Sequence, residues 1–234
     1  MRAIDLKKSV LVFVLCICTI TVLRAQFSGG TGAENNPYII TTWKELEQIP
    51  SYRDRHFKLG NDLDYDNTAH FGGYVKPAGG WTSLCTQALP FTGTFDGNNK
   101  TISNIQMTYG LFFMVSGINS CIKNLKINGQ MTITNAVLYG TSYQGGSIAR
   151  IMNVGSVVNC ESSVNITGIG TAGGFVGVGT ANISYCINRG NISVAGGGIA
   201  GECNTVAYCT NYGNILINRL WRRNCWRSRK CFLL

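Results

Sequence analysis

Three stretches of this chain are near-copies of each other: GGFVGVGTANISYCINRGNI (173–192), GGGIAGECNTVAYCTNYGNI (196–215) and, more loosely, GGSIARIMNVGSVVNCESSVNI (145–166). Cys186 and Cys209 stand 23 residues apart, as do Gly190 and Gly213; Cys160 precedes Cys186 by 26. A period of this length marks stacked repeats, in which no single unit buries its own apolar side and each depends on its neighbours. The stretch containing Cys121 reads as a fourth relative, placed 39 residues before Cys160 with an insertion between.

The texture of the repeats is that of strands. Ile, Val and Phe come in short runs punctuated by Gly, Asn and Ser, and the 29 glycines argue against helices while suiting tight corners. The Asn-x-Gly-Asn-Ile corner occurs at 188–192 and again at 211–215, where stacked amides can ladder along an axis. These features predict an all-β chain, a right-handed parallel β-helix of about six coils at the usual strand spacing. The cysteines at one repeat position, Cys160, Cys186 and Cys209, then form a column of small buried thiols.

One short helix is expected. Thr42 with Glu45 makes a capping box, and Pro50 is expected to stop the segment. This helix would cover the open end of the strand stack, whose edge would otherwise pair with other chains. After it, Phe57, Leu59, Leu63 and Tyr65 are expected to face inward, and Asp96-Gly97 to form a turn. The domain reading is a secretory signal peptide at 1–25, a lead-in and cap at 26–70, coils at 71–218, and an aberrant basic tail at 219–234. The signal peptide rests on a basic start, the apolar run VLVFVLCICTITVL and Ala25. That run is too short for an ordinary membrane span, and no membrane span is expected in the mature chain.

Charge excludes one function class. The formal net charge is +9, but residues 1–25 carry +3, residues 219–234 carry +6, and the body between them is neutral. A neutral body has no basic field for phosphate backbones, so no nucleic-acid partner is expected. The tail has a codon-level reading. Trp has one codon, and a one-base frame shift turns each Trp into Gly. WRRNCWR (221–227) can then spell GGGIAGE, 25 residues after the preceding copy. The tail is therefore read as a frameshifted coil.

Catalytic constellations fare worse. Asp62, Asp64 and Asp66 begin like a calcium loop, but Asn67 and Gly73 occupy the positions where that loop needs Gly and Glu. The carboxylates are read as outward-facing side chains of one strand. A carbohydrate-active β-helix enzyme, lyase or glycosidase, is the rival reading. It would use Asp62, Asp64, Asp66 and Asp96 as acids, with Lys100, Lys123 or Arg150 as base. His56 and His70 have no nucleophile pattern around them. The Asn-x-Ser/Thr sites at Asn99, Asn165, Asn182 and Asn191 are read as by-products of Asn-Ile-Ser/Thr-rich coils. No catalytic, cofactor-binding or metal-ligating residue is assigned, and no cofactor is expected. Tyr143, Tyr185, Tyr208 and Tyr212 could form an aromatic stripe, with Tyr185 and Tyr208 on one face, but packing at the edge of the core is the preferred reading.

GLFFMVSG (110–117), GGFVGVG (173–179) and GGGIAGE (196–202) resemble the GLUG motif of bacterial exported and cell-surface proteins. GTGAENNPYIIT, LEQI, FKLGNDLD and FTGTFDGNNKTISNI resemble the segments that precede such repeats, so the resemblance covers about residues 28–216. It implies a β-solenoid module of a larger adhesin-like surface protein, exported and noncatalytic, with a host or neighbour-cell glycan or protein as ligand. It supplies no catalytic residues. Self-association through an uncapped last coil is a further expectation.

Overall fold

The computed structural model describes residues 26–134 and 144–216, and the backbone of 225–231. The signal-peptide reading and Tyr143 lie outside the described residues, as do Trp221 to Asn224 of the tail. In chain order the elements are β1 (Tyr38–Ile40), α1 (Trp43–Glu47), β2 (His56–Leu59), β3 (Leu63–Asp64), β4 (Thr94–Asp96), β5 (Thr101–Met107), β6 (Phe112–Lys123), β7 (Lys126–Ile133) and β8 (Gln144–Gly146). Then come β9 (Ala149–Val158), β10 (Glu161–Gly168), β11 (Thr171–Gly173), β12 (Val176–Gly179), β13 (Asn182–Ser184), β14 (Ile187–Asn188), β15 (Ala195–Gly197), β16 (Ala200–Ala207), β17 (Thr210–Asn211) and β18 (Cys225–Cys231).

Among the described residues the molecule is all-β with a single α-helix, and its named strands pair in parallel throughout three sheets. The first contains β1, β2, β4, β6, β9, β12, β13, β16 and β18; the second runs β3-β5-β7-β10-β14-β17; the third runs β8-β11-β15. From β2 onward successive strands enter different sheets, β12 and β13 excepted. The path β9, β10, β11 visits all three sheets before β12 returns to the first beside β9. Each pairing is therefore with the previous circuit, as repeats that bury only one side each require. β12 and β13 are two pieces of one interrupted strand. Both lie between β9 and β16, which closes a four-membered pairing ring within the first sheet.

The cysteine column is present. Ile187 N–H donates to Cys160 O at 3.0 Å and Thr210 N–H to Cys186 O at 2.9 Å, so the three residues stand at one level of successive circuits. The Cys186 amide also donates to Cys209 Sγ at 3.4 Å. All three thiols are buried and free, and burial pushes the Cys186 thiol well up. Cys121 is not their relative. It pairs with Ser156, and the column position is filled by Leu125, whose carbonyl takes the Glu161 amide at 2.9 Å. The sequence alignment slipped because β6 changes register twice between Val115 and Cys121.

The capping box forms as expected: Glu45 N–H donates to Thr42 Oγ1 and the Glu45 carboxylate accepts the Thr42 amide. Trp43 and Leu46 are fully buried, and Trp43 Nε1 donates to Asp64 O at 3.1 Å. Pro50 does not simply stop the chain's helical path. It opens a 3-10 turn over Ile49–Tyr52, where its fixed φ and missing N–H are tolerated. Phe57, Leu59, Leu63 and Tyr65 all face the core. Segment 81–91, within the expected coils, adds a partial circuit: Trp81, Leu84 and Phe91 bridge in parallel to Met107, Phe112 and Val115. In the tail, β18 pairs with β16 with Cys225 opposite Ala200, the same 25-residue offset that the codon argument requires.

Candidate binding surfaces

The acidic residues are built into the backbone. Asp62 Oδ1 accepts the Thr101 amide at 2.8 Å. Asp64 Oδ1 accepts the Asp66 amide at 3.0 Å and Asn104 Nδ2 at 2.9 Å, and these two donors hold its carboxyl below the usual carboxylate range. Asp66 pairs with Lys76 at 2.9 Å. Asp96 accepts the Asn98 amide and Asn124 Nδ2, with Lys123 at 3.8 Å. His70 Nδ1 accepts the Asp64 amide at 2.8 Å, and His56 Nδ1 lies 2.8 Å from Thr94 Oγ1. Asp62, Asp64 and Asp96 fasten neighbouring circuits together, by bonds that span 39, 40 and 28 residues of chain. Among the described residues no cluster of His, Cys, Asp and Glu is able to hold a metal ion.

A second column runs along the corner between the first two sheets. Asn98, Asn124, Asn159, Tyr185 and Tyr208 all have φ between 52° and 55°, the left-handed region. Asn159 Nδ2 donates to Asn124 Oδ1 at 2.8 Å, and Asn124 Nδ2 to Asp96 Oδ1 at 3.0 Å. Asn suits this conformation, and Tyr does so less well. The two tyrosines are half exposed and stack on each other, centroids 5.0 Å apart with planes 9° apart. Stacking is what offsets the backbone cost. It also occupies the faces that they would offer to each other's side of a flat ligand. Tyr212, also exposed, has the Arg189 guanidinium 5.0 Å from its ring, and Arg189 Nε donates to Glu161 at 2.6 Å. On the inner side of the next corner, Asn188 Nδ2 donates to Asn211 Oδ1 at 2.7 Å, the amide ladder that the repeat predicts.

A cleft of about 470 Å³ opens where segment 77–86 meets residues 108–113. Trp81, Tyr109 and Phe113 supply aromatic wall; Thr82, Ser83, Thr86 and Thr108 supply hydroxyls. Ser83 Oγ donates to Gly110 O at 2.6 Å. Cys85 also lines the cleft; burial pushes its thiol up to about 12, against a smaller opposing pull from Arg53. Phe113 follows core-facing Phe112 on β6 and so projects to the outside of the sheet, and Arg150 follows core-facing Ala149 on the neighbouring β9. Yet Arg150 is 1% exposed, and its guanidinium lies 4.7 Å from both the Tyr109 and the Phe113 ring centres. Sequence reasoning missed this cleft. The available signal was the run Leu111-Phe112-Phe113-Met114-Val115, too long for alternation, which puts apolar groups on both faces of β6.

No protein-family model matches the chain. A candidate Gly-rich membrane protein of Evansella cellulosilytica is 33% identical over 137 residues, which is 55% of this chain and 15% of that protein. Halomucin of Haloquadratum walsbyi is 27% identical over 159 residues, 65% of this chain and 2% of halomucin. The chain thus spans a small fraction of the curated relatives it matches. The fold is similar to that in a crystal structure of a candidate immunoglobulin A1 protease from Bacteroides ovatus. The TM-score is 0.55 at 19% identity, covering 81% of this chain and 70% of that one.

Proposed function

We propose that this chain is a right-handed parallel β-helix module of an exported cell-surface protein, resembling GLUG-repeat proteins, and that its work is noncatalytic: display or adhesion. The observation that carries this reading is the circuit-on-circuit pairing, in which the cysteine, asparagine and tyrosine columns repeat one chemical group along an axis. Such a stack presents a long side of repeated chemical groups. The relatives support the location, because they are named as a membrane protein and a halomucin and are far longer than the matched segment. Asp62, Asp64 and Asp96 support the noncatalytic part, because they are engaged in fastening circuits. α1 acts as the cap: it follows edge strand β1 and its Trp43 is bonded to edge strand β3. The ligand class is a glycan or protein on a host or neighbouring cell.

Arrays of glycans and extracellular-matrix proteins, followed by a depolymerisation assay on every glycan bound, test the reading. The expected result is retention of ligand without product release. Product release that disappears in Asp62→Asn or Asp96→Asn would establish the carbohydrate-active enzyme instead.

A further inference from the structure

We propose that Cys209 and Cys186 are a dithiol redox site, in which Cys209 attacks a small disulfide and Cys186 then closes a bond between two successive circuits. Register brings the pair together. Ser184 stands opposite Ala207 and Ile187 opposite Thr210, so the cysteines between them face each other across one strand spacing, about 4.8 Å. That separation lies inside the range that a disulfide spans between Cα atoms. Direction is met as well. In an ideal ladder the thiols would point the same way without meeting. Here Cys209 Sγ leans back toward the earlier circuit, 3.4 Å from the Cys186 amide nitrogen that donates to it and 3.6 Å from Ile183 O. The two thiols differ in character. Cys209 immediately precedes β17, the edge strand of the second sheet among the described residues. It is also the least buried of the column, 8% exposed against 0% for Cys186 and 2% for Cys160. Bonds from the Cys186 side chain and amide hold the Cys209 thiol below its ordinary value and favour the attacking thiolate, whereas burial holds Cys186 well above. In the first step the Cys209 thiolate displaces one thiolate from the small disulfide and forms a mixed disulfide. Cys186 then loses its proton, attacks the Cys209 sulfur and expels the second thiolate. The chain loses two electrons, the small disulfide gains them, and the protons of both cysteines end on the two small thiols released.

The site stands on the thiol column alone; the export proposed above supplies only the setting in which small disulfides are met. The test uses the purified intact chain, so its failure leaves the display reading standing, and failure of display leaves the redox result intact. The folded, reduced chain is incubated with an excess of glutathione disulfide. The remaining thiols are alkylated in urea, and the chain is digested with trypsin for mass spectrometry. Cleavage at Arg150, Arg189 and Arg219 puts Cys186 on fragment 151–189 and Cys209 on fragment 190–219. The expected product joins these two fragments through Cys186 and Cys209, with Cys160 alkylated. The oxidised chain is expected to unfold at higher urea than the reduced chain, and dithiothreitol to reverse the gain. Cys209→Ala is expected to abolish the link. Cys186→Ala is expected to halt the reaction at a mixed disulfide on Cys209, a mass gain of one glutathione that an inert pair of core thiols does not show. The map of the unsubstituted chain needs no variant and decides the matter even where a variant fails to fold. Full alkylation of Cys186 and Cys209 after incubation overturns the proposal, as does a bond from Cys186 to Cys160. Absence of the mixed disulfide in a folded Cys186→Ala chain overturns it too.

Discussion

The two halves of the molecule solve the same packing problem with opposite materials. In residues 26–134 the core cluster contains nine aromatic side chains, among them Trp43, Tyr65, Phe95 and Phe112; in residues 144–216 it contains one, Phe175, among Ala, Cys, Val and Ile. The bonds that join circuits reflect the same split. They span 38 to 40 residues around His56, Asp62, Asp64 and Asn98, but 22 to 28 residues from Glu161 to Asn214. Long irregular circuits enclose space that large rings must fill. Short repeated circuits enclose a narrower interior, which small groups fill. The first half should therefore fail when atoms are removed and the second when atoms are added.

Removal gives the largest expected effect. Phe112 is fully buried, with its ring 4.7 Å from Phe91 and 5.9 Å from Phe95. Phe112→Ala should cost about 3–5 kcal/mol, read from urea unfolding. Addition comes next. A Cβ on Gly190 would meet Val164 O at 1.9 Å, a neighbouring circuit's backbone that has no side-chain end to swing away. Gly190→Ala should cost about 1–3 kcal/mol, whereas Cys186→Ala, a removal in the same half, should cost less than either. Equal losses for Phe112→Ala and Cys186→Ala would erase the contrast.

What the sequence disclosed follows the same division. The repeated half announced its own register, because identical spacing put Cys160, Cys186 and Cys209 at one level and Asn188 beneath Asn211. The capping box was legible because Thr42 and Glu45 interact locally. The first half was legible only in pieces. Phe57, Leu59, Leu63 and Tyr65 betrayed their inward faces by alternation, but nothing local marks Trp81, Leu84 and Phe91 as a circuit, since their partners lie across the chain. Cys121 misled for a related reason: β6 slips register, and spacing cannot report a slip. The left-handed conformation of Tyr185 and Tyr208 was hidden because tyrosine, unlike Asn159 before them, carries no preference for it. The cleft was hidden because its walls come from two separate segments.

Smaller effects sharpen the picture. Burial in the first half raises Cys85 from an ordinary value near 9 to about 12 and Tyr65 from 10 to about 12. Both groups stay neutral in the folded chain while the unfolded chain ionises. Stability is thus full below pH 9 and falls as pH rises from 9 toward 12. Denaturation midpoints at pH 8 and about pH 11 should show that loss, and Cys85→Ala should reduce it. The least change is expected for Tyr185→Asn, which restores the residue that earlier circuits hold at that corner. Lost stacking and relieved backbone strain nearly cancel, leaving a shift below about 1 kcal/mol in thermal unfolding.

The most direct test of the stacked circuits is inter-strand NOE spectroscopy on an isotopically labelled chain, centred on Ile187. The register places Ile187 between Glu161 and Thr210 in parallel. Backbone NOEs from Ile187 to both residues are predicted. Antiparallel NOEs joining Ile187 to strands adjacent in sequence, as in a chain of hairpins, would contradict the account.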